Sequence, residues 1–337
     1  MKIEISDIKS LLKQIAQKYV SEDEAIYYSD ELVEAYIRKY PRTNIFKDEV
    51  ISDTERQEKF RDYKMEIQVD LPSLLKINFN HLPITFKLKW IHDTLIEKAQ
   101  KTGISILAFD NSGGMHTLHT WTQGLAKRGF FAIGSYNGGP CAVVPYGGTR
   151  GLLGTNPMTY AFPTEDGIVV VDMATSEIPF FEVFNAKKNN NKLKENVAVD
   201  NDGHITTDPQ KALHENGISN LLPMGGNYKG YAVNYLLEIM TSSLIGAKLS
   251  DMMDLSYVNE DHGGFLMVVN IEAFTKVDDF KKEVSRFNNV IREQKGVDNQ
   301  KVIVPGDRNQ NRYEQIMKEG KIDIDDDIYS KLVELSK

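Results

Sequence analysis

The chain has a single cysteine, Cys141, in 337 residues. That excludes an intrachain disulfide and any zinc or iron–sulfur site built on several thiolates. Basic charge is scarce as well: 40 Lys and Arg face 48 Asp and Glu, a net charge of -8. A nucleic-acid backbone needs a basic face, so it is not an expected partner. No apolar run approaches the roughly eighteen residues of a membrane span. The first ten residues mix both signs and lack the apolar stretch of a signal peptide. Also missing are GxxxxGK(S/T), GxGxxG after a strand, HExxH and GxSxG, which argues against P-loop enzymes, a standard Rossmann turn, zincins and serine hydrolases. What is present is ordinary globular composition, 41% hydrophobic and 26% charged, long enough for one large or two medium domains. The expectation is a cytoplasmic enzyme.

The first hundred residues read mostly as helices. Ile8, Leu11, Leu12, Ile15 and Tyr19 recur at helical spacing. Ser21 to Glu24 is a capping box that opens a second helix, which should end near Tyr40-Pro41. Further helices are expected over Ser52 to Lys64 and Phe86 to Lys101, the latter stopped by Gly103. Beyond it, Ile104 to Phe109, Phe130 to Ser135, Met158 to Phe162, Gly167 to Asp172, Phe265 to Ile271 and Val302 to Val304 look like strands. Helices are expected at His116 to Arg128, after Lys229-Gly230, at Asp278 to Gln294 and twice near the end. Strands and helices do not alternate regularly, so a mixed sheet with helices on its faces is expected rather than a doubly wound parallel one.

Three segments could carry chemistry. Gly151 to Pro157 is a dense turn that brings backbone N–H groups, Thr155 and Asn156 close to a ligand, or serves as a tight connection needing positive φ. Asp172 to Ser176 ends an apolar strand, where polar side chains emerge toward ligands; a helix cap or Asx-turn reads equally well. Pro223 to Gly230 opens a helix, whose free N–H donors and Lys229 suit a phosphate or carboxylate; a solvated lysine is the plainer reading. His116 and His119 share one helical face, with Asp110 the nearest acid. The remaining histidines, His262 among them, have no partner at diagnostic spacing.

Taken in order, the segments resemble the malate/L-lactate dehydrogenase family, whose members include L-sulfolactate and ureidoglycolate dehydrogenases, 2,3-diketo-L-gulonate reductase and Δ1-piperideine-2-carboxylate reductase. The resemblance rests on Asn111-Ser112, Asn137 with Pro140, Val144 to Gly148, Gly154 to Pro157, Asp172 to Ser176, Asp200 to Gly203, Thr207 to Pro209, Leu222 to Gly226, Tyr228 to Tyr231 and Pro305 to Asp307. It implies an α/β, L-sulfolactate dehydrogenase-like mixed sheet with flanking helices and non-Rossmann dinucleotide binding, found as a homodimer. It also implies a division into a helical domain, residues 1–75 with 310–337, and a central α/β region, residues 76–309, that binds cofactor and substrate. By the same resemblance, Gly114, Met115, His116, Thr117, Leu118, Met173, Ala174, Thr175, Lys229, Pro305, Gly306, Asp307 and Arg308 contact NAD or NADP, and Thr155 touches substrate.

Three departures stand out. Arg42-Thr43-Asn44 occupies the place of the family's Ser-His-Gly, whose histidine exchanges the proton. Gly114 stands where relatives have a second histidine, and Ile178 to Glu182 replaces a small-residue stretch. Without the imidazole, Arg42 could clamp a substrate carboxylate, and His116 or Glu182 could move the proton. The expected function is therefore an NAD(P)-dependent oxidoreductase moving a hydride between nicotinamide and a small 2-hydroxy, 2-oxo or cyclic imino acid. The alternative is a catalytically silent member that keeps the fold as a cofactor-binding or regulatory protein. A metal-dependent hydrolase using Asp110, His116 and His119 is a third reading.

Overall fold

The computed structural model describes residues 1–38, 44–113, 115, 117–213, 218–253 and 262–337. A short strand, β1 (Lys2–Glu4), leads into α1 (Ile5–Ala16), which buries Ile5, Ile8, Leu12 and Ile15 along one face. The capping box forms at the start of α2 (Glu22–Arg38): Ser21 Oγ accepts the Glu24 N–H at 3.4 Å, and the Glu24 carboxylate accepts the Ser21 N–H at 3.1 Å. A π-helical stretch (Phe46–Ile51) then runs into α3 (Ser52–Lys59). These helices share a core with Phe86 and with Ile322, Ile324 and Leu332 from the far end of the chain.

Residues 66–78 are a hairpin, β2 (Glu66–Leu71) and β3 (Leu74–Asn78), within a stretch whose sequence reads mostly as helices. β2 is an edge strand with most residues exposed, so its polar texture hides its extended conformation. α4 (Leu88–Thr102) ends at Gly103, which adopts φ 83° as the C-terminal cap. There follow β4 (Ile104–Ser112), α5 (His119–Lys127), β5 (Phe130–Tyr136), β6 (Met158–Thr164), β7 (Gly167–Met173) and α6 (Phe180–Lys188). The chain continues with α7 (Tyr228–Thr241), β8 (His262–Asn270), α8 (Val277–Arg292), α9 (Asp307–Glu319), β9 (Lys321–Asp323) and α10 (Asp326–Ser336). The α6 helix was not expected. Val302 to Val304, expected as a strand, is irregular.

Seven strands form one mixed sheet in the order β2-β3-β4-β8-β5-β6-β7, with β3 and β4 parallel and every other pair antiparallel. α4 and α5 cover one face, where Leu95, Trp121 and Leu125 pack on Leu75, Ile77, Leu107 and Phe109. α7 and α8 lie on the other. Between β5 and α7 the chain builds a lobe around Val143, Leu153, Val183, Val197 and Leu221. One end of the sheet matters most. There β4, β5 and β7 finish and β6 and β8 begin, with Ser112 opposite His262, Ser135 opposite Met158, and Met158 opposite Met173.

Candidate active site

The turn from β4 into α5 is gripped from three sides. Tyr136, the last residue of β5, donates its hydroxyl to Gly113 O and accepts the Met115 N–H, both at 3.1 Å. Asp172, near the end of β7, accepts the Leu118 N–H at 2.8 Å and the Thr117 hydroxyl at 3.3 Å. Glu49, from the π-helical stretch, accepts the Thr117 N–H at 2.7 Å. Donors at the start of a helix have no partner within it, so carboxylates there satisfy them and complement the helix dipole.

Glu49 is only 1% exposed, and Asp53, one turn later, 4%. Burial pushes the Asp53 carboxyl well above the usual range, and the Glu49 charge pushes it further. Thr85 donates its hydroxyl to Asp53. Arg56 lies along Gly113, where a Cβ would come within 2.4 Å of its Nε, so glycine is the residue that lets the guanidinium approach.

Across the sheet end, a polar web fixes the second group of predicted residues. The Thr175 N–H donates to Thr155 O at 2.9 Å, and its hydroxyl lies 2.9 Å from Asn156 O. Asn234 on α7 donates its amide to Thr175 Oγ1 and to Gly154 O. Asn156 holds φ 34°, which suits asparagine in a tight turn. Its amide donates to Glu238 at 2.7 Å, and Glu238 also accepts the Gly154 N–H, the Ser250 N–H and the Ser250 hydroxyl. The sequence thus supplies one web in which Thr155 and Thr175 are locked together.

Met115, Thr117, Leu118, Thr155, Met173, Ala174 and Thr175 therefore gather at this sheet end. Arg42, Gly114 and His116 lie outside the described residues. Lys229 is exposed in the first turn of α7, whose first N–H groups are capped by Asn227. Glu182 lies on α6, beside Val183 in the lobe core. Asp307 is bound by Arg292 at 2.6 Å and accepts the Val304 N–H, a pairing that shapes the start of α9 beside Gly306 (φ 94°) and Arg308. Pro305 and Val304 border an apolar groove of about 520 Å³ between α8 and the β6–β7 face, floored by Phe162 and Val169. Glu49, Tyr136 and Glu238 escaped the sequence reading, since nothing in their local spacing marks them.

Among the described residues, the one group with metal-ligand spacing is Asp200, Asp202 and His204 in an exposed turn. Neither Asp110 nor His119 belongs to it, so the hydrolase reading gains nothing.

The sequence pattern of the family described as malate/L-lactate dehydrogenase matches residues 3–333. The malate/(S)-sulfolactate dehydrogenase of Methanothermus fervidus is 32% identical over 279 residues, 81% of this chain and 78% of that protein. A Δ1-pyrroline-2-carboxylate/Δ1-piperideine-2-carboxylate reductase of Pseudomonas putida is 38% identical over 165 residues, 49% of this chain and 47% of its own length. The crystal structure of malate dehydrogenase from Entamoeba histolytica superposes with a TM-score of 0.84 at 21% identity, covering 100% of this chain and 97% of that one. At that identity the superposition speaks for the fold alone.

Proposed function

The chain belongs to the malate/L-lactate dehydrogenase family, and from that membership we propose that it moves a hydride between a nicotinamide cofactor and a small 2-hydroxy or 2-oxo acid, or a cyclic imino acid. The observation that carries the reading is the meeting, at one sheet end, of the Met115–Leu118 turn, Thr155 and the Met173–Thr175 segment. Substrates named for the relatives, malate, sulfolactate and cyclic imino acids, define the class to screen. Those relatives are catalysts, so the silent reading is not favoured.

The residues present suit a dinucleotide. The Lys229 ammonium offers a charge for phosphate, and the groove beside Pro305 is roomy and apolar enough for a flat ring. Gly306, Asp307 and Arg308 open α9 next to that groove. When bound, the nicotinamide supplies or accepts the hydride. The chain must do the rest. Thr155, fixed through Thr175, orients substrate; Arg42 clamps its carboxylate; and His116 or Glu182 exchanges the proton on the substrate heteroatom. The two grips on Thr117 and Leu118 hold the turn in place before substrate arrives, which lowers the ordering cost of binding.

A second copy of the chain is the proposed partner. Tyr228, Tyr235 and Leu236 on α7, with Leu244 and Met252 beyond it, are all exposed large apolar side chains. Such a patch suits an isologous dimer in the cytoplasm. Light scattering on the purified protein tests this, and a monomer at working concentration contradicts it. The function itself is tested by titrating the protein with NADH and with NADPH while following nicotinamide fluorescence. Saturable binding of one of them selects the cofactor and directs a screen of 2-oxo and cyclic imino acids. Absence of binding by both at millimolar concentration overturns the dehydrogenase reading.

A further inference from the structure

The turn after β4 contains two consecutive glycines, Gly113 and Gly114. Glycine has the widest backbone freedom of any residue, so a segment built on it must be constrained from outside to keep one shape. The ladder of β4 gives little help, because its register on β8 shifts between Phe109 and Ser112 as the strand ends. Side chains supply the constraint instead. Ser112 Oγ lies 3.2 Å from Gly113 O, and Tyr136, Glu49 and Asp172 reach Gly113, Met115, Thr117 and Leu118 from three other elements.

These grips are not equivalent. Glu49 and Asp172 take the N–H groups of Thr117 and Leu118, which stand at the start of α5 and need an acceptor for the helix to begin. Any capped helix would require as much. Tyr136 acts earlier, where no helix asks for it: one phenolic oxygen donates to Gly113 O and accepts the Met115 N–H, clamping both neighbours of Gly114. The ring that carries this oxygen is itself fixed. It is 2% exposed, stacks on His262 with centroids 4.9 Å apart and meets Trp121 edge-on at 6.4 Å. The Tyr136 backbone N–H donates to Pro157 O at 3.4 Å, at the end of the turn bearing Thr155. Hydroxyl and amide of one residue thus join the two turns of the site.

We propose that Tyr136 is a positioning residue for the dinucleotide: its hydroxyl holds the backbone at Gly113 and Met115 in the binding shape before NAD or NADP arrives. The proposal rests on the dehydrogenase reading, in which Met115 and its neighbours contact the cofactor. Tyr136 acts through that backbone and not on the cofactor itself. Without the hydroxyl the glycine pair regains its freedom, and each binding event must order the turn again, which weakens affinity. Once bound, the dinucleotide supplies that order itself, so turnover at saturation is spared. The signature is a loss of affinity without a matching loss of kcat.

The experiment compares the wild-type protein with Tyr136→Phe, which removes one oxygen and keeps the ring, and with Tyr27→Phe as a matched control. Tyr27→Phe deletes a hydroxyl that bonds His92 at 2.7 Å, between α2 and α4. The readouts are NADH and NADPH affinity by nicotinamide fluorescence, amide exchange of the peptide covering residues 112–118 by mass spectrometry, and thermal melts. For Tyr136→Phe, affinity should be about 5- to 20-fold weaker. That peptide should exchange faster in the free variant and regain protection at saturating dinucleotide. With any 2-oxo or cyclic imino acid that the wild type turns over, kcat at saturation should stay within about threefold. Tyr27→Phe should melt lower yet bind dinucleotide within about twofold of wild type. An affinity loss matched by Tyr27→Phe, joined by an equal loss of kcat, or found without faster exchange at the turn overturns the proposal. Wild-type protein that binds neither dinucleotide overturns the dehydrogenase reading and this proposal with it; wild-type binding beside an unaffected Tyr136→Phe overturns this proposal alone.

Discussion

Glu238 and Glu49 are both almost fully buried, and each holds a turn of the site. Glu238 is surrounded by four donors, all neutral: two backbone N–H groups, an asparagine amide and a serine hydroxyl. Glu49 takes one backbone N–H on the site turn and shares its buried space with a second acid, Asp53. The first arrangement is a saturated joint, which fixes the Gly154–Asn156 turn to α7. The second sets two acids close together beside the turn, and burial with the Glu49 charge raises the Asp53 carboxyl. A buried carboxylate is thus a scaffold where neutral donors saturate it and a responsive element where another carboxylate crowds it.

The sharpest way to break this comparison is at the saturated joint. Glu238→Ala leaves four donors without their acceptor, and its stability by urea denaturation should fall by about 3 kcal/mol or more. Glu238→Gln, which keeps one acceptor oxygen, should fall by about 1 kcal/mol. An alanine variant as stable as its parent would show that the web is not a joint.

Asp53→Asn tests the other side, and here the sign reverses. A carboxyl raised in the folded state binds its proton more tightly there than in the unfolded chain, so stability declines as pH rises from about 4 toward the raised value. Asparagine removes that decline while keeping a partner for Thr85. The variant should be more stable than its parent by about 1–2 kcal/mol near pH 8, and equal to it or less stable near pH 4. A variant less stable than its parent at pH 8 would mean that Asp53 is stabilised by its surroundings, not crowded.

His92 sharpens the contrast in the opposite direction. It is fully buried between Tyr27 and Trp121 O, and desolvation lowers it to about 3. Its contribution is complete above the unfolded value near 6.5 and fades as pH falls toward 3. His92→Gln should flatten part of the acid limb of a stability–pH curve that Asp53→Asn leaves in place. The smallest effect is expected at Gly113→Ala, where the added Cβ meets the flexible end of Arg56 and the guanidinium swings away, for about 1 kcal/mol.

Much of this architecture is legible in the chain because its signals are local. Ser21 and Glu24 are three residues apart, and Gly103 ends its own helix, so the sequence carries both features on its face. The same holds for the turn at Gly154 to Pro157 and the strand end at Asp172, whose residue types announce them. The β2–β3 hairpin was hidden because an exposed edge strand is selected for polarity, which mimics a solvated helix. The partners of the site turn were hidden for a different reason. Glu49 reaches Thr117 across 68 residues, Asn156 reaches Glu238 across 82, and His262 reaches Asn137 across 125. Only the register of the sheet makes them neighbours, and no spacing along the chain encodes that.

The pairing of β1 with β9 joins residues 2–4 to residues 321–323, and the amino group of Met1 donates to Ile324 O. The first of these strands leaves the ribosome more than 300 residues ahead of the second. Until β9 and α10 emerge, Ile3 of β1 and Ile8 and Leu12 of α1 therefore lack the Ile322 and Leu332 that share their core. A nascent chain paused before β9 thus presents an apolar face of α1 that its own last elements later cover.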